Sequence, residues 1–384
     1  MPKTFVFAPD SFKESMSAQQ ACQAMQAGIE KVFPDAKFVH IPMADGGEGT
    51  VDALLCARDG ERINIEVTGS LPQHKVQAYL GLIDQGKTAV IEMAKANGLD
   101  LLPIEQRNPL LTSTFGTGEL IRAALDHQVE KMIIGLGGSA TNDAGAGMAQ
   151  ALGVRFYDAH GQELPCGLSG GQLHQIEKID LSQLDPRLKQ VEVCIASDVT
   201  NPLIGSTGAS AVFGPQKGAN AEMVKQLDAN LLHFAQKIKQ YCQMDIAYVA
   251  GAGAAGGLAA GLMAFTGASL HSGVDLVIEQ TGLAKHIAEA DFVFTGEGGI
   301  DFQTKFGKTP LGVAKVTKQF NKPLFACAGY VGEGIESLYE EGFTAIFGIL
   351  DRCCDLNTAC QQGAHNLERT CENIARILKC YDKN

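Results

Sequence analysis

The sequence predicts an α/β protein of two domains, a doubly wound parallel sheet and an inserted mixed α/β domain. Three observations carry that expectation. Both ends of the chain alternate short apolar strands with amphipathic helices, the pattern of parallel βαβ units. The middle holds a hairpin signal, which a purely parallel sheet does not accommodate. Glycine-rich turns bearing carboxylates follow several strands, and open parallel sheets bind ligands beyond the carboxyl ends of their strands.

At the N-terminal end, Thr4–Ala8 reads as an apolar strand. Ser17, with Gln20 three residues on, forms a capping box. Ala21, Cys22, Met25, Ile29 and Val32 then recur on one helical face until Pro34 stops the helix. A second strand follows at Phe38–Ile41, a helix at Thr50–Ala57 closed by Gly60, and a third strand at Ile63–Val67. In the middle, Val76–Ile83 and Thr88–Met93 flank Asp84-Gln85-Gly86, an antiparallel hairpin. Next come a helix at Glu119–Asp126, a strand at Lys131–Gly135 and a short helix at Ala146–Leu152. Strands near Val154–Tyr157 and Val191–Ala196 and a long helix at Ala221–Cys242 follow. The C-terminal end has strands at Asp291–Thr295, Pro323–Ala328 and Thr344–Ile349. Helices at Leu311–Phe320 and Ile335–Glu341 alternate with them, and one long helix from Thr358 to Lys379 closes the chain. The expected domains are 1–69 with 286–384, and 70–285 inserted between them, with an active site in the cleft between the two.

Composition narrows the function. The 384 residues include 31 Lys+Arg against 43 Asp+Glu, a net charge of −12. That balance argues against a nucleic-acid partner, which requires a basic face. An apolar share of 45% excludes wholesale disorder. The 11 cysteines include no C-x-x-C, and Cys353-Cys354 with Cys360 lacks zinc spacing, so reduced thiols of a cytoplasmic protein are expected. Met1-Pro2-Lys3-Thr4 runs straight into strand-like Phe5-Val6-Phe7 with no signal-peptide core. The uncharged stretch Ile246–Leu270 is long enough to span a bilayer. Its glycines and alanines supply little transfer free energy, so a buried turn and a tightly packed helix are expected instead. A homo-oligomer is allowed by the sequence and not indicated by it.

Three loops of the first domain draw attention. They are Pro9-Asp10-Ser11-Phe12-Lys13, Asp45-Gly46-Gly47-Glu48-Gly49-Thr50 and Thr295-Gly296-Glu297-Gly298-Gly299-Ile300-Asp301. Together they would bring Asp10, Lys13, Asp45, Glu48, Glu297 and Asp301 into one region. In the inserted domain, Gly135-Leu136-Gly137-Gly138-Ser139-Ala140-Thr141-Asn142-Asp143 opens a helix, where bare N–H groups attract anions. Asp198 follows a strand, and Lys217 lies in the turn Gly214–Gly218. Some motif matches carry less. Gly251-x-Gly253-x-x-Gly256 fits the dinucleotide fingerprint, but only a weak strand, Ile246–Ala250, precedes it. Gly307-Lys308-Thr309 resembles the tail of a Walker loop but has Phe302 where a glycine is required. Gly167-x-Ser169-x-Gly171 follows Pro165 rather than a strand. No H-E-x-x-H occurs among the nine histidines. An inventory of Asp, Glu, Lys, Ser/Thr and glycine backbone, with no Ser–His or Cys–His pair, suits phosphoryl transfer.

At these motifs the chain closely resembles the type 1 glycerate kinase family. The resemblance rests on Ala8-Pro9-Asp10-Ser11-Phe12-Lys13, Ala44-Asp45-Gly46-Gly47-Glu48-Gly49-Thr50, Gly137–Asp143, Asp198–Leu203, Phe213–Ala219, Gly251–Gly257 and Thr295–Gly298, in family order over essentially the whole chain. It implies ATP-dependent phosphorylation of D-glycerate, usually to 2-phosphoglycerate, on a Rossmann-like part with a distinct inserted part. Two departures stand out. Ala144 replaces a second glycine of many members, and Gly299 replaces an arginine, whose charge Lys305 or Lys308 would have to supply.

The expected roles follow. Lys13 pairs with the substrate carboxylate. Asp198 or Asp45 accepts the hydroxyl proton, Asp198 being favoured, and Asp10 lies close by. Glu297 and Asp301 position Mg²⁺ or ribose. Gly137, Gly138, Ser139, Thr141 and Asn142, with Gly251, Gly253, Gly256 and Lys217, hold the ATP phosphates. The competing readings are an NAD-linked hydroxy-acid dehydrogenase and a non-catalytic sugar-acid-binding protein.

Overall fold

The computed structural model describes residues 2–381. The chain divides into two compact units, one of Met1–Asp45, Asp52–Arg58 and Val274–Asn384, the other of Gly46–Val51 and Asp59–Gly273.

The first unit is built on a five-stranded parallel sheet in the order Ala345–Gly348, Leu324–Val331, Phe292–Ile300, Thr4–Phe7, Lys37–His40. Distant ends of the chain meet at its centre, where Phe5 registers with Phe292 and Phe7 with Phe294. Phe5 stacks on Phe292 at 5.2 Å, and Phe294 packs on Phe325 at 5.2 Å. These rings hold the discontinuous segments together, since such pairs add to their large apolar burial. The chain leaves Thr4–Phe7 for the neighbour on one side and returns much later to the other side. That reversal is a topological switch point, where loops diverge and leave a crevice.

The helix Ala18–Glu30 starts at the expected capping box, with Ser17 Oγ accepting the Gln20 N–H and Gln20 Oε1 accepting the Ser17 N–H. It packs on the helix Gly363–Tyr381. Gly28 permits the approach, because a Cβ there would sit 2.2 Å from the Glu368 carbonyl oxygen. Gly28→Ala is therefore expected to destabilise the fold by about 1–3 kcal/mol through overpacking. A thermal melt checks this, and an unchanged midpoint refutes it.

Two elements of this unit differ from expectation. The C-terminal helix is two helices, Leu356–Gln361 and Gly363–Tyr381. At the break the Ser15 hydroxyl donates to the Cys360 carbonyl, and an inserted side chain interrupts a helical ladder in this way. The strand Phe292–Ile300 runs on through the expected loop, pairing as far as Ile300 with Val331. Its glycines read as a turn in isolation, yet they lie extended in the sheet, Gly296 opposite Cys327 and Gly299 opposite Tyr330.

The second unit has a six-stranded sheet in the order Ser269–His271, Glu192–Ala196, Lys131–Gly135, Thr88–Glu92, Lys75–Ile83, Glu61–Thr68. The first four strands are mutually parallel, and Lys75–Ile83 runs antiparallel to both its neighbours; its pairing with Thr88–Glu92 realises the expected hairpin. Glu61–Thr68, expected as a third strand of the first domain, pairs along its whole length with Lys75–Ile83. Val67 lies in this unit's core, with Ile63 and Ile65 packed against it. Residues 59–69 thus lie with the second unit and 274–285 with the first, opposite to the expected boundaries.

Ile246–Ala250 is turn and coil rather than a strand. Ala254–Thr266 is a buried helix that opens on a left-handed run, Ala255–Gly257. Among the described residues no helix is long and apolar enough to cross a membrane. All eleven cysteines are free thiols.

Candidate active site

Carboxylates converge beyond the carboxyl end of Thr4–Phe7 and along the distal half of Phe292–Ile300. The Asp10 N–H donates to the Gly296 carbonyl at 2.8 Å, and the Thr295 hydroxyl donates to the Ala8 carbonyl at 2.8 Å, which ties the loop to the strand. Phe12 and Met16 then exchange N–H···O bonds of 2.9 Å around a tight turn that leaves Lys13 exposed. Small residues beneath make this possible. A Cβ at 296 would lie 2.3 Å from the Cys327 carbonyl oxygen and 3.1 Å from the Phe12 ring.

The Asp10 carboxylate accepts the Ser11 N–H at 2.6 Å and the Thr309 hydroxyl at 2.5 Å. Burial, the negative charge of Asp45 and, less strongly, that of Glu297 push Asp10 up to about 7 against the two hydrogen bonds. Glu297 accepts from the Thr304 hydroxyl at 3.2 Å and from Lys308 Nζ at 3.5 Å, while Lys308 also reaches the Gly299 carbonyl at 3.2 Å. Burial pushes Glu297 up to about 7 although Lys308 pulls it down. Two carboxyl groups pushed toward neutrality, one beside a hydroxyl and one beside an ammonium, make this the candidate site.

The second unit carries a separate buried polar cluster. Its Gly137–Asp143 turn is fastened to the preceding chain, with the Leu99 N–H on the Gly138 carbonyl at 2.8 Å and the Ala140 N–H on the Asn97 carbonyl at 3.0 Å. Asp143 accepts the Thr114 N–H and hydroxyl at 2.8 Å each, the Gly145 N–H at 3.1 Å and the Gly147 N–H at 3.2 Å. Burial raises its pKa, and these four donors oppose the rise. Lys217 is 2% exposed, and its Nζ donates to Ser139 Oγ at 2.8 Å and to the Thr141 carbonyl at 2.7 Å. Burial pushes the Lys217 ammonium down to about 7, with Asp143 acting the other way. Asn142 Nδ2 donates to Ser210 Oγ at 2.9 Å. Thr141 Oγ1 and Asn142 Oδ1 are buried without a hydrogen-bond partner.

At the ends of this unit's parallel strands, Glu92 accepts the Val51 N–H at 2.8 Å and pairs with Lys95 at 3.5 Å, and Lys95 also feels the charge of Glu48. Asp198 is exposed and accepts the Gly273 N–H at 3.1 Å.

The sequence pattern of the glycerate kinase family matches residues 5–379. The chain belongs to the glycerate kinase family. It is 52% identical over 374 residues to a glycerate kinase of Haemophilus influenzae, a match covering 97% of this chain and 98% of that one. It is 48% identical over 373 residues to a glycerate 2-kinase of Escherichia coli, covering 97% of each. The crystal structure of a provisional glycerate kinase 2 from Salmonella typhimurium LT2 covers 100% of both chains at 45% identity, with a TM-score of 0.89. As a member of the glycerate kinase family, the chain is a phosphotransferase.

Within this family member, several expected site residues take other places. Gly251, Gly253 and Gly256 are packing residues. The Gly253 N–H donates to the Asn201 carbonyl at 3.0 Å, and a Cβ at 256 would lie 2.0 Å from the Thr141 carbonyl oxygen. With no strand before them, these glycines do not form a dinucleotide fingerprint, and the Gly253 N–H is already engaged. Thr141, Asn142 and Asp143 are fully buried, so only Gly137, Gly138 and the edge of Ser139 face outward. Lys217 is interior rather than a turn lysine in solvent. Asp301 caps the turn Phe302–Phe306 by accepting the Gln303 N–H at 2.8 Å. Glu48 lies with the second unit.

Of the two lysines considered in place of the missing arginine, Lys305 pairs with Glu341 at 3.8 Å, and Lys308 is the one beside Glu297. Thr309 and Thr114 were missed. Thr309 stood in the rejected Walker match. The tripeptide Thr112-Ser113-Thr114 just before a helix was the available signal for the other. Among the described residues no group of three or more His, Cys, Asp or Glu is spaced to enclose a metal ion.

Proposed function

We propose that this chain transfers the γ-phosphoryl group of ATP to the 2-hydroxyl of D-glycerate in the cytoplasm. The observation that carries the mechanism is the Asp10 carboxyl, titrating near 7 and hydrogen-bonded to Thr309. A base is most effective when its pKa lies near the working pH. Asp10 therefore takes the hydroxyl proton, in place of Asp198 or Asp45, both of which are exposed. The choice of the 2-hydroxyl draws on the name of the Escherichia coli relative.

Lys13, exposed on its tight turn, pairs with the glycerate carboxylate. Gly137, Gly138 and Ser139 donate to ATP phosphate oxygens. The mutual repulsion of Asp10, Asp45 and Glu297 fits a cation, and Mg²⁺ commonly takes only one or two carboxylates beside substrate phosphates. Glu297 and Asp45 are the groups that would hold it, and when bound it supplies neutralising charge to the transferred phosphoryl group. Asp301 is engaged as a helix cap.

A ³¹P NMR time course with D-glycerate and MgATP tests the reaction. A phosphomonoester signal split by one methine proton is the expected result. Splitting by a methylene moves the attack to the 3-hydroxyl, and intact ATP with folded protein overturns the proposal. Lys13→Ala is expected to raise the KM for glycerate by about tenfold or more, the worth of a charge-assisted hydrogen bond, with little change in the KM for ATP. Steady-state kinetics checks this, and the reverse pattern removes Lys13 from the acid site.

A further inference from the structure

We propose that Lys217 is a positioning residue of the phosphate-binding turn. Its buried ammonium donates to the Ser139 hydroxyl and so commits that hydroxyl's own proton to an acceptor outside the protein, a phosphoryl oxygen of the nucleotide. The inference rests on the reading of Gly137–Ser139 as the ATP phosphate site.

The chemistry follows from counting protons. A lysine ammonium has three donors and no acceptor, whereas a serine hydroxyl has one donor and two acceptor lone pairs. With Lys217 protonated, the 2.8 Å contact from its Nζ to Ser139 Oγ uses a serine lone pair. The serine proton is left over, and no protein acceptor among the described residues takes it. Ser139 is 6% exposed and stands next to the exposed Gly138, so the free donor lies at the rim of the turn rather than in the core. The second Lys217 bond, to the Thr141 carbonyl at 2.7 Å, holds the other side of the same turn.

The cost of this arrangement supports a functional reason for it. An ammonium with two neutral acceptors and only the field of Asp143 to offset its desolvation is expensive to bury, and an apolar side chain of similar size would suit the core better. A methionine there could not orient the serine. The local backbone commits the lysine inward. Pro215–Lys217 is a single tight turn in which the Lys217 N–H donates to the Gly214 carbonyl at 3.0 Å, and the left-handed Gly218 ends it.

The test is a double-mutant cycle on the full chain, with MgATP and D-glycerate as substrates. Ser139→Ala and Lys217→Met are each expected to raise the KM for ATP about tenfold or more, with the KM for glycerate within about twofold of wild type. The double variant should be no worse than the poorer single, because both remove one and the same donor. Multiplying single effects would show two independent roles and overturn the proposal. So would a fall in kcat at fixed KM. If Lys217→Met does not fold, Ser139→Ala still decides, since an unchanged KM for ATP in that variant refutes the proposal. A wild-type protein that turns over ATP and glycerate, paired with a silent Ser139→Ala, sinks this inference alone. A wild-type protein with no such turnover sinks the kinase reading on which it rests.

Discussion

Asp10→Asn is expected to lower kcat by about 10²–10⁴, the usual worth of a positioned general base. The amide keeps the shape of the carboxylate; its oxygen can retain the Ser11 N–H while its NH2 donates to the Thr309 hydroxyl, which turns to accept, and it has no basicity. In the wild type, kcat/KM should climb with pH through about 7, because Asp10 must lose its proton before it can accept another. That limb should flatten in the variant. Asp198→Asn, altering an exposed group that holds a backbone N–H, is expected to cost less than about tenfold. Steady-state pH profiles of the two variants decide. An Asp10→Asn enzyme keeping more than about a tenth of wild-type kcat would remove Asp10 as the base.

The same substitution has a stability consequence of defined sign. Asp10 and Glu297 carry folded-state pKa values near 7, above their ordinary values of 3.8 and 4.5. The native state thus binds protons more tightly than the unfolded chain, and the associated stability is present below about pH 4 and lost as pH rises through about 7. Asp10→Asn should melt higher than wild type at pH 8, with the gap closing toward pH 4. Active sites commonly hold this kind of destabilising charge.

Asp143→Ala is expected to cost about 3–5 kcal/mol, since each buried donor left without its acceptor costs about 1–3 kcal/mol. The alanine abandons four donors at once, from Thr114, Gly145 and Gly147, the last in the first turn of the helix Ala146–Ala151. It also leaves the Lys217 ammonium without its offsetting charge. A midpoint lower by on the order of 10 °C should appear in a thermal melt. Adding Lys217→Met should recover part of the loss, because the stranded charge is then gone. A single variant melting within about 2 °C of wild type would show that the carboxylate contributes little.

Much of the local architecture was legible from residue order. The Ser17–Gln20 capping box, the Asp84-Gln85-Gly86 hairpin and the helix Ala221–Cys242 all form where the pattern places them. Each is governed by interactions within a few residues, so a short window contains the relevant physics. Asp10 and Glu297 were also legible, as carboxylates in the polar segment after the first strand and in the glycine-rich segment from Thr295. Glu61–Thr68 was legible as a strand, but its partner was not, because alternation reports which face is apolar and not which core receives it.

The sequence by itself determined the α/β alternation, the discontinuity implied by the middle hairpin, the acidic and glycine-rich character of the ligand loops, and the family resemblance. The tertiary structure alone decided that the glycines of 295–300 extend as strand, that Gly251–Gly257 is packing, that Lys217 is interior, and that Thr309 meets Asp10 across 299 positions of chain. The physical reason is common to all four. Burial and hydrogen-bond partnership are set by remote atoms that pack against a residue, so an exposed turn lysine and a buried one look alike in the chain. The desolvation that moves Asp10, Glu297 and Lys217 toward neutrality arises only once the surrounding protein has displaced their water.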